Sequence, residues 1–367
     1  MIEKHTRENI QAECLEELSK HYRCSASISM GVGKTFIGLR HMEREYKLGA
    51  RNFLVVAPKL SIFTTWKEEA SKFKLEHLID CIEFTTYLSL GKKGVEYDCI
   101  YLDECHNLLT SHENYLLFYH GKILGLTGTP PRHSTSEKGK LVQTYCPIIY
   151  SYITDDAVDD HILNDYRIIV HLLPLSTART HKVKTKKGFF MSSEKDNYEY
   201  WTKQLKGFGF NKDRTRIMRM KALMEYETKE RYAKHLLNYV DDKCIVFCNT
   251  TEQAERVCSN TYHSKNKDSE ENLQKFKSGE FNCLSAVIQL NEGVNIPNLK
   301  YGIILHAYSN ERKAAQRIGR LLRLNPDQTS YIHILAYKDT VDVEWVISAL
   351  SDLDQSKIKY RDAEYKR

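Results

Sequence analysis

The 367-residue sequence has no run of about 18 apolar residues, no Cys-x-x-Cys or His-Glu-x-x-His spacing, no internal repeat and no low-complexity tail. Each absence excludes something. With no long apolar run and a charged, helical N-terminus, neither a membrane span nor a signal peptide is supported, so the chain reads as soluble and intracellular. The ten cysteines are scattered, and Cys244 and Cys248 lie on an apolar, strand-like run. Buried thiols in a reducing compartment are therefore favoured over zinc sites or disulfides. No acidic cluster of the nuclease kind is found either.

What is present suits a soluble globular protein of two domains, at 41% hydrophobic and 28% charged residues. The formal charge of +6 is unevenly spread. Between Leu175 and Lys221 thirteen Lys or Arg stand against four Asp or Glu, a net of +9, which leaves the remainder at −3. Such a segment suggests a polyanion partner, the plainer reading being a solvated face.

One stretch organises the chain: Ile28-Ser29-Met30-Gly31-Val32-Gly33-Lys34-Thr35. It reads as a buried strand, Ser25 to Ser29, feeding a glycine turn that opens a helix. Backbone N–H groups at such a turn can cradle a polyphosphate, and the helix N-terminus adds roughly half a positive charge. Ser29, Met30, Gly31, Val32 and Gly33 would then bind ATP, Lys34 would reach its terminal phosphates, and the Thr35 hydroxyl would hold Mg2+. Ile28 stands where the pattern usually has its first glycine. The alternative is an ordinary glycine-rich turn, so the decision falls to the rest of the chain.

Thr6 to Arg23 looks helical with Thr6 as N-cap, and Lys34 to about Lys47 forms the helix after the glycine loop. Strands are expected at Phe53 to Ala57, Cys81 to Thr86, Cys99 to Leu102 and Ile123 to Thr127, with a helix through Trp66, Ala70 and Phe73. From Tyr150 to about Tyr239 the pattern changes to β-like pieces, a Lys-rich run and polar helical material. A second series starts at Cys244 to Cys248 and runs through a helix at Glu252 to Cys258. Strands near Cys283 to Ile288 and Gly302 to His306, a helix at about Glu311 to Leu322 and a strand at Tyr331 to Ala336 complete it. The expected fold is α/β: two parallel-sheet lobes in tandem, residues 1–150 and 239–367, with a basic connector or insertion at 151–238.

Phosphoryl transfer from ATP needs an acid for the metal, an orienter for water and a cation for the developing charge. Asp103, closing the apolar run Cys99 to Leu102, is the metal candidate, and Glu104 would polarise the water. In the form Asp103-Glu104-Cys105-His106, downstream of a glycine loop at domain-sized spacing, the pair stands out from an exposed helix start. Leu126-Thr127-Gly128-Thr129-Pro130 follows another strand.

On these residues the first lobe resembles that of a superfamily 2 helicase, with a DEAD-type box spelled Asp-Glu-Cys-His and a Thr-Gly-Thr-Pro segment. The resemblance implies RecA-like lobes, nucleotide sensing by Arg7 and Gln11, and strand contacts at Pro58, Lys59, Thr86, Thr127 and Thr129. Gln316-Arg317-Ile318-Gly319-Arg320-Leu321-Leu322-Arg323 resembles the family's arginine-finger motif. Gln316, Arg320 and Arg323 recur at helical spacing and share one face. Gly319 in mid-helix, unfavourable by about 1 kcal/mol against alanine, is unexplained by a merely solvated helix. Leu290 to Pro297 resembles the segment that senses nucleotide and strand together, implicating Gly293 and Asn295, although Asn295 stands where aspartate is usual. Asn249, Ser264 and Lys265 fall in stretches similar to the second lobe's phosphate-contacting elements. The implied activity is nucleic-acid-dependent hydrolysis of ATP at the cleft between lobes, with Arg320 and Arg323 reaching the γ-phosphate, coupled to translocation on DNA or its unwinding.

Met30 to Thr35, Trp66 to Glu69 and Thr340 to Asp342 resemble Snf2-like translocases, and Ile162 to Arg167 resembles type III restriction and phage-type DNA helicases. DNA is thus favoured over RNA, contacts to the strand should be largely sequence-independent, and a compact double-stranded-DNA or branched-DNA motor of the phage or viral kind is expected. It would act in repair or recombination, in a bacterial host's cytoplasm if phage-encoded, with a protein partner supplying substrate specificity. The rivals are an RNA helicase or RNP remodeller and a non-catalytic nucleic-acid clamp, which intact Lys34, Asp103, Glu104 and Arg320 argue against. A small-molecule kinase would leave residues 316–323 without a purpose. Lys182, Lys184, Lys186 and Lys187, followed by Phe189, Phe190, Tyr198 and Trp201, interleave charge and aromatics as a DNA-holding hairpin would, the alternative being a solvated linker.

Overall fold

Short apolar runs, too brief for buried helices, set the frame of each half of the chain. The computed structural model describes residues 5–29, 31–185, 188–207, 211–287, 296–306 and 328–363. Among these, residues 5–165 form one compact unit and 166–363 a second.

The first unit holds strands β1 (Arg23–Ile28), β2 (Phe53–Ala57), β3 (Ile82–Thr86), β4 (Cys99–Asp103), β5 (Lys122–Thr127) and β6 (Ile148–Tyr152). They form one sheet in the order β3-β2-β4-β5-β1-β6, every pair parallel. Every residue of β2 and β4 is buried, as strands covered on both faces require. Helices α1 (Arg7–Leu18), α2 (Lys34–Lys47), α3 (Ser61–Lys72), α4 (Glu113–Phe118), α5 (Glu137–Tyr145) and α6 (Thr154–Asp159) supply the cover. Thr6 caps α1 as expected, its side chain accepting from the Asn9 N–H. Because all six strands run one way, their carboxyl ends at Ile28, Ala57, Thr86, Asp103, Thr127 and Tyr152 share one edge. Ligands bind at that edge in open parallel sheets.

The second unit holds β7 (Tyr166–Leu173), β8 (His181–Thr185), β9 (Gly188–Ser192), β10 (Cys244–Cys248), β11 (Thr261–Tyr262), β12 (Cys283–Val287), β13 (Tyr301–Ile304), β14 (Ser330–Tyr337) and β15 (Ile358–Asp362). Seven of these form a parallel sheet, β11-β12-β10-β13-β14-β7-β15, while among the described residues β8 and β9 pair only with each other. Helices α7 (Glu194–Lys206), α8 (Lys212–Glu225), α9 (Thr228–Leu237), α10 (Thr251–Val257), α11 (Ser269–Ser278) and α12 (Val341–Leu350) pack around it.

The connector expected at 151–238 is not a separate piece. Its first residues close the first unit through β6 and α6, and β7 enters the second sheet between β14 and β15. The physical reason lies in β7 itself. Tyr166, Ile168, Val170 and Leu173 are buried, and such a strand needs ladders on both edges. α8, its C-cap Tyr226 and α9 add Leu223, Tyr226, Tyr232 and Ala233 to the second core. The boundary between units therefore falls at 165/166. All ten cysteines are free thiols, and no helix among the described residues is long and apolar enough to cross a membrane.

Candidate active site

The glycine loop takes its shape from two left-handed residues and one clamped carbonyl. Gly31 and Gly33 have φ of 93° and 107°, conformations that disfavour any side chain. The Val32 carbonyl accepts from Gln11 Nε2 at 2.6 Å and from Arg7 Nε at 3.0 Å, so α1 grips the loop from outside. A Cβ at Gly33 would lie 2.6 Å from Gln11 Nε2 and 2.9 Å from an Arg7 guanidinium nitrogen. Arg7 and Gln11, singled out as nucleotide-sensing residues, are placed as supports of the loop backbone. Ser29 anchors the other end, its N–H donating to the Tyr152 carbonyl at 2.9 Å and its hydroxyl meeting Thr154 Oγ1 at 3.1 Å. Gly33 then N-caps α2. The first turn of that helix, with Lys34 and Thr35, carries N–H groups that have no intrahelical acceptor, which suits an anion.

Lys34 Nζ lies 3.4 Å from Glu104 Oε1, both side chains being close to buried. The other oxygen of Glu104 accepts from the Thr127 hydroxyl at 3.3 Å and the Gly128 N–H at 3.4 Å, and stands 3.3 Å from His106 Nδ1. Burial alone would push this carboxyl up. The Lys34 ammonium, then His106 and the Gly128 N–H, outweigh it and hold the carboxyl below its usual range. Glu104 also has φ of 52°, a left-handed conformation that disfavours a side-chain-bearing residue by roughly 1 kcal/mol or more.

His106 extends the network. Its Nδ1 is 2.8 Å from Thr127 Oγ1, and its Nε2 is 3.3 Å from Asn107 Nδ2. The Thr129 N–H donates to Thr127 Oγ1 at 3.1 Å. The loop after β5 and the acidic pair after β4 are thus one hydrogen-bonded body.

Asp103 closes β4 beside this network. Its Oδ2 accepts from Trp66 Nε1 at 2.8 Å, and its carbonyl accepts from the Tyr87 hydroxyl at 3.0 Å. The fully buried indole can sit there because α2 has glycine at 38, where a Cβ would come within 2.6 Å of Trp66. Sequence reasoning missed Trp66, Tyr87 and Gly38 as supports of Asp103. A tryptophan on the helix before the acidic strand was the one available signal. Asp103 and Thr35 offer the hard oxygen donors that magnesium prefers, and such an ion takes few protein ligands when phosphates complete its shell. Among the described residues no group of three His, Cys, Asp or Glu side chains is placed to hold a metal unaided.

The candidates for strand contact lie along the same edge. Pro58 and exposed Lys59 follow β2, Thr86 ends β3, and Thr127 and Thr129 close and follow β5. In the second unit Asn249 follows β10, and neither atom of its buried side-chain amide has a hydrogen-bond partner among the described residues. Ser264 and Lys265 are exposed after β11, with Lys265 Nζ 3.4 Å from Glu252. Met30, Gly293, Asn295, Gln316, Arg320 and Arg323, together with the helix expected near 311–322, lie outside the described residues.

Comparison with known proteins adds to this geometry. Residues 4–89 match the family described as the type III restriction enzyme res subunit, and residues 227–325 match the helicase conserved C-terminal domain. The chain is 25% identical to the DNA 3'-5' translocase XPB2 of Sulfurisphaera tokodaii, over 90% of this chain and 82% of that protein. Its fold is similar to that of the Pyrococcus furiosus Hef helicase domain, with a TM-score of 0.52 and 17% identity, covering 92% of this chain and 97% of that one. It is also similar to the ATP-dependent Type ISP restriction-modification enzyme LlaBIII bound to DNA, with a TM-score of 0.61 and 15% identity over 98% of this chain. The chain spans 31% of that enzyme's length. At such identities the structural likeness is one of fold.

Proposed function

We propose that this chain, whose residues 4–89 and 227–325 match two helicase-type family models, is a superfamily 2 motor that moves along DNA and hydrolyses ATP faster when DNA is bound. The observation that carries this reading is the contact of Lys34 with Glu104, which joins the glycine loop to the acidic pair and, through Thr127 and Gly128, to the loop after β5. A small-molecule kinase has no use for the last of these links.

In this proposal the loop N–H groups and the first turn of α2 bind the polyphosphate, and Lys34 neutralises its terminal charge. Thr35 and Asp103 would hold magnesium, which offsets phosphate charge when bound. Arrival of the phosphates draws Lys34 away from Glu104. That leaves a carboxylate, fixed by Thr127 and Gly128, to orient the attacking water and accept its proton. Thr129 belongs to the loop after β5, which is proposed to meet the sugar-phosphate backbone, while Thr127, fully buried at the end of β5, ties that loop to Glu104. A shift there moves the donors on Glu104, which would couple hydrolysis to the strand. Arg320 is proposed as the cation that meets the developing charge, with Arg323 and Gln316 assisting it. Travel from 3′ to 5′ is proposed from the XPB2 translocase alone. Because phosphate contacts position a strand without reading bases, movement should be largely independent of sequence.

The test is an ATPase assay with single-stranded DNA, duplex DNA, a branched junction and RNA as separate activators. Stimulation by one or more DNA forms is expected. Equal rates with and without every nucleic acid would overturn the motor.

A further inference from the structure

We infer that the β8–β9 hairpin is a stacking platform for unpaired bases of single-stranded nucleic acid, an element separate from the ATP site. The inference rests on the motor reading above for its biological setting, and on the following geometry for its substance.

The hairpin is rooted firmly. His181 packs edge-on against buried Tyr226, ring centroids 4.9 Å apart at 89°, and the Tyr226 hydroxyl donates to Asn197 at 2.9 Å. Ser193, directly after β9, caps α7. The Glu194 carboxylate accepts from the Ser176 N–H, the Thr228 N–H and the Thr228 hydroxyl, so both feet of the hairpin are tied to the unit.

Beyond that root the apolar side chains face water. Phe189 is 59% exposed, Phe190 53% and Met191 45%, three in a row on a ladder that joins no other strand among the described residues. Alternation along a strand turns Phe189 and Phe190 to opposite faces, so neither ring covers the other. Lys182, paired across the ladder with Met191, places its ammonium 3.9 Å from the centre of the Phe189 ring. A two-stranded hairpin gains nothing in the folded chain from exposing such rings.

Charge selects the occupant. The surrounding 175–221 segment carries the net +9, against a slightly acidic remainder, so a polyanion fits this surface better than an apolar protein face does. The rings then select within polyanions. Flat phenyl faces beside a lysine suit bases that are out of the stack, each base offering a π-face whatever its identity. In a duplex those faces are already stacked on one another.

The experiment uses the full chain with a fluorescein-labelled oligothymidylate and a duplex of equal length. Phe189→Ala/Phe190→Ala should lower affinity for the single strand roughly tenfold or more while duplex binding changes much less. Phe189→Trp should retain single-strand affinity and Phe189→Leu should lower it, because a flat face rather than apolarity is required. Circular dichroism melting checks that the variants fold, and an oligonucleotide carrying 5-iodouracil should crosslink to residues 188–191 of the wild type. Unchanged single-strand affinity in the double variant, an equal loss with duplex, or a wild-type dimer that the double variant converts to monomer would each overturn the inference. A wild type whose ATPase answers to no nucleic acid sinks the motor instead. A stimulated wild type beside a double variant that binds normally sinks only the hairpin.

Discussion

Trp66 holds Asp103. A single 2.8 Å hydrogen bond from the indole to the carboxylate ties α3 to the end of β4, and Gly38 on α2 leaves the space for it. Groups that orient a metal-binding carboxylate typically alter metal affinity or activity by about 10–100-fold when removed. Trp66→Phe keeps most of the buried volume and deletes the donor. The expected outcome is a rise of roughly tenfold in the magnesium concentration needed for half-maximal ATPase, with a smaller change at saturating magnesium, read by titrating the metal.

Arg320 carries the proposed counter-charge in hydrolysis. Loss of an arginine finger lowers turnover by about 10³-fold or more. Arg320→Ala should therefore retain ATP binding, followed with a fluorescent ATP analogue, and lose DNA-stimulated phosphate release. Near-normal stimulated turnover would remove Arg320 from the site.

The second unit contains a fully buried ion pair between Lys229 and Asp342. The Lys229 ammonium also lies 3.1 Å from His306 Nδ1 and over the Tyr337 ring, while Asp342 Oδ2 accepts from the Tyr337 N–H at 2.9 Å. Burial pushes the Lys229 pKa down, and Asp342 opposes it. Removing one partner strands a buried charge, so Asp342→Ala should lower unfolding free energy by about 3–5 kcal/mol in urea titrations. Lys229→Met/Asp342→Leu should recover much of that loss.

Two buried histidines, His41 and His171, and the half-buried His333 make the fold acid-sensitive. Burial, helped by His333 and Arg361, pushes His171 down to about 3; burial and Arg361 push His333 down to about 4; and burial, only partly opposed by Glu45, pushes His41 down to about 4. His171 Nε2 meets His333 Nδ1 at 2.9 Å inside the second unit. Each native pKa lies below the unfolded value of about 6.5, so the unfolded chain binds protons first as pH falls. The stabilisation is complete above that value and is lost as pH falls to about 4 for His333 and His41 and to about 3 for His171. Melting temperature should be flat from pH 8 to about 7 and decline steadily from about 6.5 downward. His171→Phe/His333→Leu should flatten the decline.

The features legible in the sequence were those that local chemistry dictates. Phe53–Ala57 and Cys244–Cys248 became strands with the expected bounds because a short apolar run has one stable use in an α/β chain. The Lys34–Lys47 helix followed from the glycine turn. What escaped notice depends on residues far apart in the chain. β7 pairs Tyr166 with Ser330, and no local pattern announces which sheet a strand will join. β6 and β15 are edge strands with mostly uncovered faces, so their periodicity is weak. Lys229 sits in a polar helix that reads as solvated, yet it is buried because Asp342 arrives from more than a hundred residues away. The acidic pair was legible, whereas the ties from Trp66 to Asp103 and from Thr127 to Glu104 appear only once the strands lie side by side.

The central claim is that Glu104, held by Thr127 and Gly128 and relieved of Lys34 by the incoming phosphates, activates the water. Glu104→Gln keeps the shape and removes the charge. ATP binding and DNA-stimulated phosphate release should be measured on the same preparation of this variant. The account predicts binding equal to or tighter than wild type, since Lys34 no longer has a carboxylate to leave, and hydrolysis lower by about 10²-fold or more. Hydrolysis within a few-fold of wild type would contradict it.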